Sequence, residues 1–181
     1  MQKIEYIEGD LFAAVNNDLD KSPIVIAHCC NDKGGFGAGF VLPLSRNFPI
    51  VKDQYLAWHK GTICLPYQFG LGQTQFVNTD NRIFVANMIA QTLGGVRPLF
   101  YNHLAQCMDS VAKFVIDRNN VGEHKSRIIA PLFGSALSGG DWNFVEKLIE
   151  DCWLRKDISV TIYYLKGQEP DSVLRSLTPA L

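Results

Sequence analysis

The stretch "IVIAHCCNDKGGFGAGFVLPLSRNFP", Ile24 to Pro49, decides the reading of the chain. It opens on a continuous apolar, β-branched run, the pattern of a strand buried on both faces. It passes through His28, Cys29, Cys30 and Asn31 into four glycines, Gly34, Gly35, Gly37 and Gly39, and then into a segment of helical character over residues 38 to 47. A loop without Cβ atoms, set between a strand and a helix, lets backbone N–H groups approach an anion that side chains would hold off. The same order of strand, glycine-rich loop and helix recurs over residues 127 to 145, where "PLFGSALSGGDW" carries Gly134, Gly139 and Gly140. In an α/β sheet such loops lie at the carboxyl ends of their strands, where ligands bind. Two of them side by side predict one cleft that clasps a diphosphate. Either loop alone is equally well explained by a sharp turn that needs positive φ.

Outward from these loops, strands and helices alternate. "KIEYIEGDLF" reads as a strand ending at Gly9-Asp10, and "VKDQYLAWHKG" as a helix closed by Gly61. Pro43 predicts a kink or a short first segment in the helix of residues 38 to 47. "GTICLPY" reads as a short strand. "TQFVN" and "RIFVANMIA", on either side of Thr79-Asp80-Asn81, read as a hairpin. Leu104, Met108, Val111, Ala112 and Val115 recur at helical spacing between Tyr101 and Asp117. "SRIIAPLFGS" is a buried strand, "NFVEKLIEDCWLRK" a helix and "ISVTIYYL" a last strand. Residues 166 to 181 form a tail with little pattern of its own. The expectation is a three-layer α/β/α domain over residues 1 to 165, with a mixed sheet of about six strands.

Composition narrows the function. The chain has 181 residues, 47% hydrophobic and 19% charged, and a net charge of -1 from 17 basic and 18 acidic residues. That balance suits one globular domain and lacks the basic excess of a nucleic-acid binder. No apolar run is long enough to span a membrane, and the alternating N-terminus carries no secretory h-region, so a cytoplasmic protein is expected. The five cysteines, Cys29, Cys30, Cys64, Cys107 and Cys152, lack metal-site spacing and read as free thiols. No cofactor or metal is expected.

Two familiar phosphate-binding patterns are absent. Gly35, Gly37 and Gly39 are spaced G-x-G-x-G rather than G-x-G-x-x-G, and no acidic residue ends a strand about 20 residues later. No Gly-Lys-Ser/Thr follows the glycines, which excludes a Walker A loop.

The segments "IEYIEGDLF", "AHCCNDKGGFGAGFVLPLSRNFP", "RIFVANMIAQ", "PLFGSALSGGDW" and "VTIYYL" together resemble the macrodomain family, in order and spacing, over residues 3 to 165. The chain looks most similar to the small stand-alone branch that includes ADP-ribose-1″-phosphate phosphatases and an ADP-ribosyl-glutamate hydrolase. In that branch a histidine precedes the first glycine loop. The resemblance implies ADP-ribose as ligand, free or carried on a protein. It implies that Asp10 accepts from the adenine amine with the Leu11 backbone beside it, and that Asn31 faces the distal ribose. Gly35, Phe36, Gly37, Ala38 and Gly39 then form the first phosphate loop. Phe133, Gly134, Ser135, Ala136, Leu137, Ser138, Gly139 and Gly140 form the second. Tyr163, or Tyr164 if the register slips, packs on adenine. One departure matters: the ester-cleaving members carry a lysine just after the "RIFVANMIAQ" strand and an aspartate in the second loop. Here Ile89, Ala90 and Gln91 stand at the first place and Ser138 at the second.

His28 and Asn31 are the candidate catalytic residues. An imidazole at the end of a buried strand can serve as general acid/base or nucleophile toward a 1″-phosphate, or can be a core histidine satisfied by backbone. The Asn31 amide both donates and accepts, which suits ribose hydroxyls or a turn. Asp32 beside Lys33 reads as a solvated turn acid. Asp141 before Trp142 reads as a helix N-cap. Cys29 cannot pair with His28, because adjacent strand residues point to opposite faces. Three functions stay open: a phosphatase acting on ADP-ribose 1″-phosphate, a non-catalytic ADP-ribose-binding module, and an ADP-ribosyl ester hydrolase.

Overall fold

In the computed structural model of the protein, residues 2–20, 22–80 and 82–177 are described. Six strands, β1 (Glu5–Glu8), β2 (Ile24–Asn31), β3 (Thr74–Asn78), β4 (Ile83–Gln91), β5 (Arg127–Pro131) and β6 (Val160–Tyr164), form one sheet in the order β1-β6-β5-β2-β4-β3. Every neighbouring pair is parallel except β3 with β4, so the sheet is mixed. The helices are α1 (Leu11–Asn16), α2 (Val41–Asn47), α3 (Pro49–His59), α4 (Tyr101–Val121), α5 (Trp142–Cys152) and α6 (Asp171–Leu177). No helix among the described residues is long and apolar enough to cross a membrane.

The two faces of the sheet build two cores. Val25 and Ala27 of β2, with Ala86 and Met88 of β4, pack against Leu104, Met108 and Val111 of α4 and Val145 and Ile149 of α5. Ile24, Ile26 and Cys30, with Val85 and Ile89, pack against α1, α2 and α3 through Phe12, Leu44, Val51 and Tyr55. The central strands are apolar on both sides because both sides are covered. Each fully buried aliphatic side chain contributes ~1.5–3 kcal/mol. The expected three-layer α/β/α architecture is therefore present, with α1 to α3 on one face and α4 and α5 on the other.

Several local expectations are corrected. "GTICLPY" forms no strand. Its alternation is real, since Ile63, Leu65 and Tyr67 pack on the core beneath α3, but no neighbouring strand supplies hydrogen-bond partners. Period-two burial records contact with a flat surface, not strand pairing. Helix α2 starts at Val41, so Pro43 lies in its first turn, where an N–H has no intrahelical partner anyway. The break falls instead at Phe48, and Pro49 opens α3. Helices α1 and α6 were not anticipated. Asp10 starts α1 by accepting from the backbone N–H groups of Phe12 and Ala13 at 2.7 and 3.1 Å. Helix α6 is tied to the body where Ser172 Oγ and Tyr6 Oη both donate to Glu146 Oε1. Of the expected hairpin turn, Asn81 lies outside the described residues; Asp80 Oδ1 accepts from the N–H groups of Arg82 and Ile83, each at 2.7 Å. Residues 178–181 of the tail also lie outside the described residues.

Candidate functional site

A cleft of about 520 Å³ opens at the carboxyl ends of β1, β2, β4, β5 and β6. Its walls come from both glycine loops. Ala38, Gly39 and Phe40 stand on one side and Gly134, Ser135, Leu137 and Ser138 on the other. His28 and Cys29, within the carboxyl half of β2, lie between them, and Gln91 ends β4. Asp10, Leu11 and Phe12 line the end beside β1, together with Tyr163, Tyr164, Leu165 and Gln168. The first residues of the tail thus take part in the wall.

The two loops meet closely. Gly39 has φ +68, and a Cβ there would come 3.4 Å from Leu137 Cδ1. Among the described residues, the backbone N–H groups of Ala38, Gly39 and Phe40, and those of Ser135 and Leu137, make no hydrogen bond. All five residues, from two loops, line one cleft that no lysine or arginine lines among the described residues. Such a surface suits an anion held by backbone dipoles rather than by side-chain charge. Other glycines of the second loop serve packing. A Cβ on Gly140 would lie 2.1 Å from Gly134 O, and one on Gly139 would lie 2.7 Å from Val96 O. Neither residue lines the cleft, and neither do Gly35, Phe36 and Gly37. Phe36 is buried against Tyr55, with ring centroids 4.9 Å apart. The Ala136 backbone belongs to a short 3₁₀ turn, Ala136–Ser138.

His28 is 1% exposed. Burial pushes its imidazole down to about 4, against an opposing contribution from its hydrogen bond to Asn87, so the ring is neutral at physiological pH. Its Nε2 lies 2.6 Å from Asn87 Oδ1, and the rings of Phe36 and Phe40 flank it at 6.1 and 5.6 Å. Phe40 also stacks on Phe12 at 5.3 Å, which joins α1 to the first loop. Burial pushes the thiols of Cys29 and Cys30 far up, so neither supplies a thiolate nucleophile.

Asn31 is placed differently from the expectation. Its Nδ2 donates to Gly35 O at 2.6 Å, and its Oδ1 accepts from the N–H groups of Lys33 and Gly35 at 3.0 and 2.9 Å. The amide braces the turn below the first loop, and Asn31 does not line the cleft. Asp32 is not freely solvated as expected. Its Oδ2 pairs with Lys33 Nζ at 3.2 Å, while its Oδ1 is buried without a hydrogen-bond partner. Asp141 caps α5 as expected, accepting from Asn143 N at 2.9 Å. No group of three or more histidine, cysteine or acidic side chains is arranged to hold a metal among the described residues.

Gln91 and Ser138, at the places where the resemblance puts lysine and aspartate in ester-cleaving members, are hydrogen-bonded to each other at 2.5 Å. Asn87 and Gln75, fully buried and linked at 2.9 Å, were missed by sequence reasoning. Their signal was present: each is an amide at an inward position of a strand whose other inward residues are apolar.

The likeness to known proteins follows the same geometry. No protein-family model matches the chain. The chain is similar to a macrodomain protein from Streptomyces coelicolor of solved structure, 35% identical, covering 89% of this chain and 98% of that one, with a TM-score of 0.71. It is 24% identical over 163 residues to ADP-ribose glycohydrolase OARD1 of Homo sapiens, covering 90% of this chain and 92% of the relative. It is also 24% identical over 152 residues to an ADP-ribose 1″-phosphate phosphatase of Candida albicans, covering 82% of this chain and 92% of the relative. With the mixed six-stranded sheet and the paired loops at its carboxyl edge, this likeness shows that the chain belongs to the macrodomain family.

Proposed function

We propose that this chain binds ADP-ribose in the cleft and hydrolyses ADP-ribose 1″-phosphate to ADP-ribose and inorganic phosphate. The observation that carries the reading is that two glycine loops, whose lining residues keep backbone N–H groups without an intramolecular partner, meet at a cleft that His28 also lines. The diphosphate sits between the Ala38–Phe40 backbone and the Ser135 and Leu137 N–H groups, which compensate its charge. Adenine lies at the other end, where Asp10 accepts from its amine and Tyr163 or Tyr164 offers an aromatic face. The names of the two curated relatives support the substrate class.

At the distal ribose, the neutral His28 ring takes a proton from an attacking water, or bonds phosphorus itself. Either way the new bond forms at phosphorus and the bond to the ribose 1″ oxygen breaks. In the first route that oxygen leaves with the proton the ring took, and phosphate is released; in the second it leaves with a proton from solvent, and a water then attacks the phosphorus of the phosphohistidine, breaking the N–P bond to release phosphate and restore the ring. Asn31 acts through the loop it braces.

A second reading, a non-catalytic ADP-ribose module, is favoured by one observation: His28 is only 1% exposed. Two measurements separate the readings. Calorimetry with ADP-ribose should give micromolar affinity or better, roughly -8 kcal/mol. Incubation with ADP-ribose 1″-phosphate should release phosphate. Binding without release leaves the module reading, and no binding removes both.

A further inference from the structure

Three buried polar side chains form a row across the sheet face that carries α1, α2 and α3. Strand register pairs His28 of β2 with Asn87 of β4, and Asn87 with Gln75 of β3. His28 Nε2 and Asn87 Oδ1 are 2.6 Å apart. Asn87 Nδ2 donates to Gln75 Oε1 at 2.9 Å, and Gln75 Nε2 donates to the main-chain carbonyl of Gln54, in α3, at 3.0 Å.

The last link sets the direction of all the others. A main-chain carbonyl only accepts, so Gln75 must turn its NH₂ toward Gln54 and its oxygen toward Asn87. Asn87 must then turn its NH₂ toward Gln75 and its oxygen toward His28. The ring nitrogen facing that oxygen must carry a hydrogen. The reverse orientation of the row would set the Gln75 amide oxygen against the Gln54 carbonyl oxygen, two acceptors with no hydrogen between them, and leave both unpaired there, costing ~1–3 kcal/mol.

We infer that Asn87 and Gln75 are positioning residues: through them the carbonyl of Gln54 holds His28 as the Nε2–H tautomer, leaving Nδ1 as the one ring atom that can take a proton or a phosphoryl group. The catalytic consequence rests on the proposed phosphatase reading; the tautomer rests on the hydrogen-bond row alone.

The choice of amides rather than a carboxylate has chemical meaning. A carboxylate beside Nε2 would favour the imidazolium. The amide row orients the ring and leaves it neutral. The remaining neighbours are neutral too. Cys30 Sγ, on the same strand, lies 3.8 Å from Nδ1 and 3.9 Å from Nε2, and burial holds it as a thiol. Phe36 and Phe40 from the first loop bring no charge. In the Nε2–H tautomer Nδ1 carries the lone pair, with the Cys30 thiol 3.8 Å from it and the Cys29 backbone also bonded to the ring; such a ring is a base or a nucleophile, and it has no proton to give until it has taken one.

Long-range ¹H–¹⁵N correlation of the uniformly labelled full chain tests the assignment without substrate. At pH 7 the His28 ring should show a protonated Nε2 and an unprotonated Nδ1. An Nδ1–H tautomer, or an even mixture, overturns the inference. Gln75→Met keeps the length and apolar packing of the side chain but removes its amide. It should shift the His28 ring toward a mixture of tautomers and lower kcat for ADP-ribose 1″-phosphate about tenfold, with ADP-ribose affinity unchanged. Unchanged ring shifts in a folded Gln75→Met chain also overturn the inference. If Gln75→Met does not fold, the parent spectrum still decides. A parent that shows the Nε2–H tautomer but releases no phosphate sinks the phosphatase reading and leaves the tautomer assignment standing.

Discussion

Ser138 Oγ, on the second glycine loop, donates a 2.5 Å hydrogen bond to Gln91 Oε1 at the end of β4. Both side chains line the cleft. Two neutral groups therefore occupy the positions where the family resemblance places an amine and a carboxylate in ester-cleaving members. Neither is a nucleophile at neutral pH, because no base lies against the Ser138 hydroxyl and an amide nitrogen has no available lone pair. Installing the pair should change the reaction. The double variant Gln91→Lys, Ser138→Asp should release ADP-ribose from an ADP-ribosylated glutamate at least about tenfold faster than the parent, by analogy with other activated lysines. Equal rates would show that the two positions do not face the scissile bond.

His28 carries the proposed chemistry and should be separable from binding. His28→Ala should lower phosphate release by about 10²-fold or more, the usual weight of a general acid or base, with little change in ADP-ribose affinity. Full phosphate release in this variant would remove the role.

The same residue makes stability depend on pH. Its folded value of about 4 lies below the unfolded histidine value of about 6.5. Between these values the unfolded chain binds more protons, so stability rises with pH through that window. It is lost progressively as pH falls from 6.5 toward 4, by on the order of 3 kcal/mol for this group. Urea unfolding of the parent and of His28→Gln at pH 4.5 and pH 7 checks this. The parent should lose more stability on acidification than the variant does.

Asp10 caps α1, and substitution can separate that role from the proposed contact to adenine. Both capping hydrogen bonds go to Oδ1, and the side chain also lines the cleft. Asp10→Asn retains an accepting oxygen for the cap and should keep stability while weakening ADP-ribose. Asp10→Ala should weaken ADP-ribose as well and lose about 1 kcal/mol of stability with the cap. Calorimetry and thermal unfolding on both variants give the comparison; equal affinity in all three proteins would exclude Asp10 from the adenine site.

The glycines should divide in a similar way. Gly39→Ala forces a side chain into left-handed backbone, at about 1–2 kcal/mol, and sets a methyl group against Leu137 where the loops meet. Its main effect should be a loss of ADP-ribose affinity. Gly140→Ala drives a Cβ to 2.1 Å from Gly134 O, outside the cleft. Its main effect should be a large fall in Tm. Calorimetry and thermal unfolding should therefore rank the two variants in opposite orders.

The sequence by itself determined which segments become central strands. The apolar runs of β2, β4 and β5 are buried on both faces because helices cover both, and that burial is written locally as unbroken hydrophobicity. It also marked both glycine loops and put them at the same edge of the sheet. It misread "GTICLPY" because alternation reports a surface to lie on and says nothing of a strand to pair with. The family resemblance set Asn31 at the distal ribose; only the folded loop shows that its amide bonds Gly35. The pairings that decide the chemistry were out of reach. His28 meets Asn87 across 59 positions, and Ser138 meets Gln91 across 47. Such partners depend on strand order and register, which come from the packing of the whole sheet. A local pattern records only whether a side chain is buried; the tertiary structure decides what it is buried against.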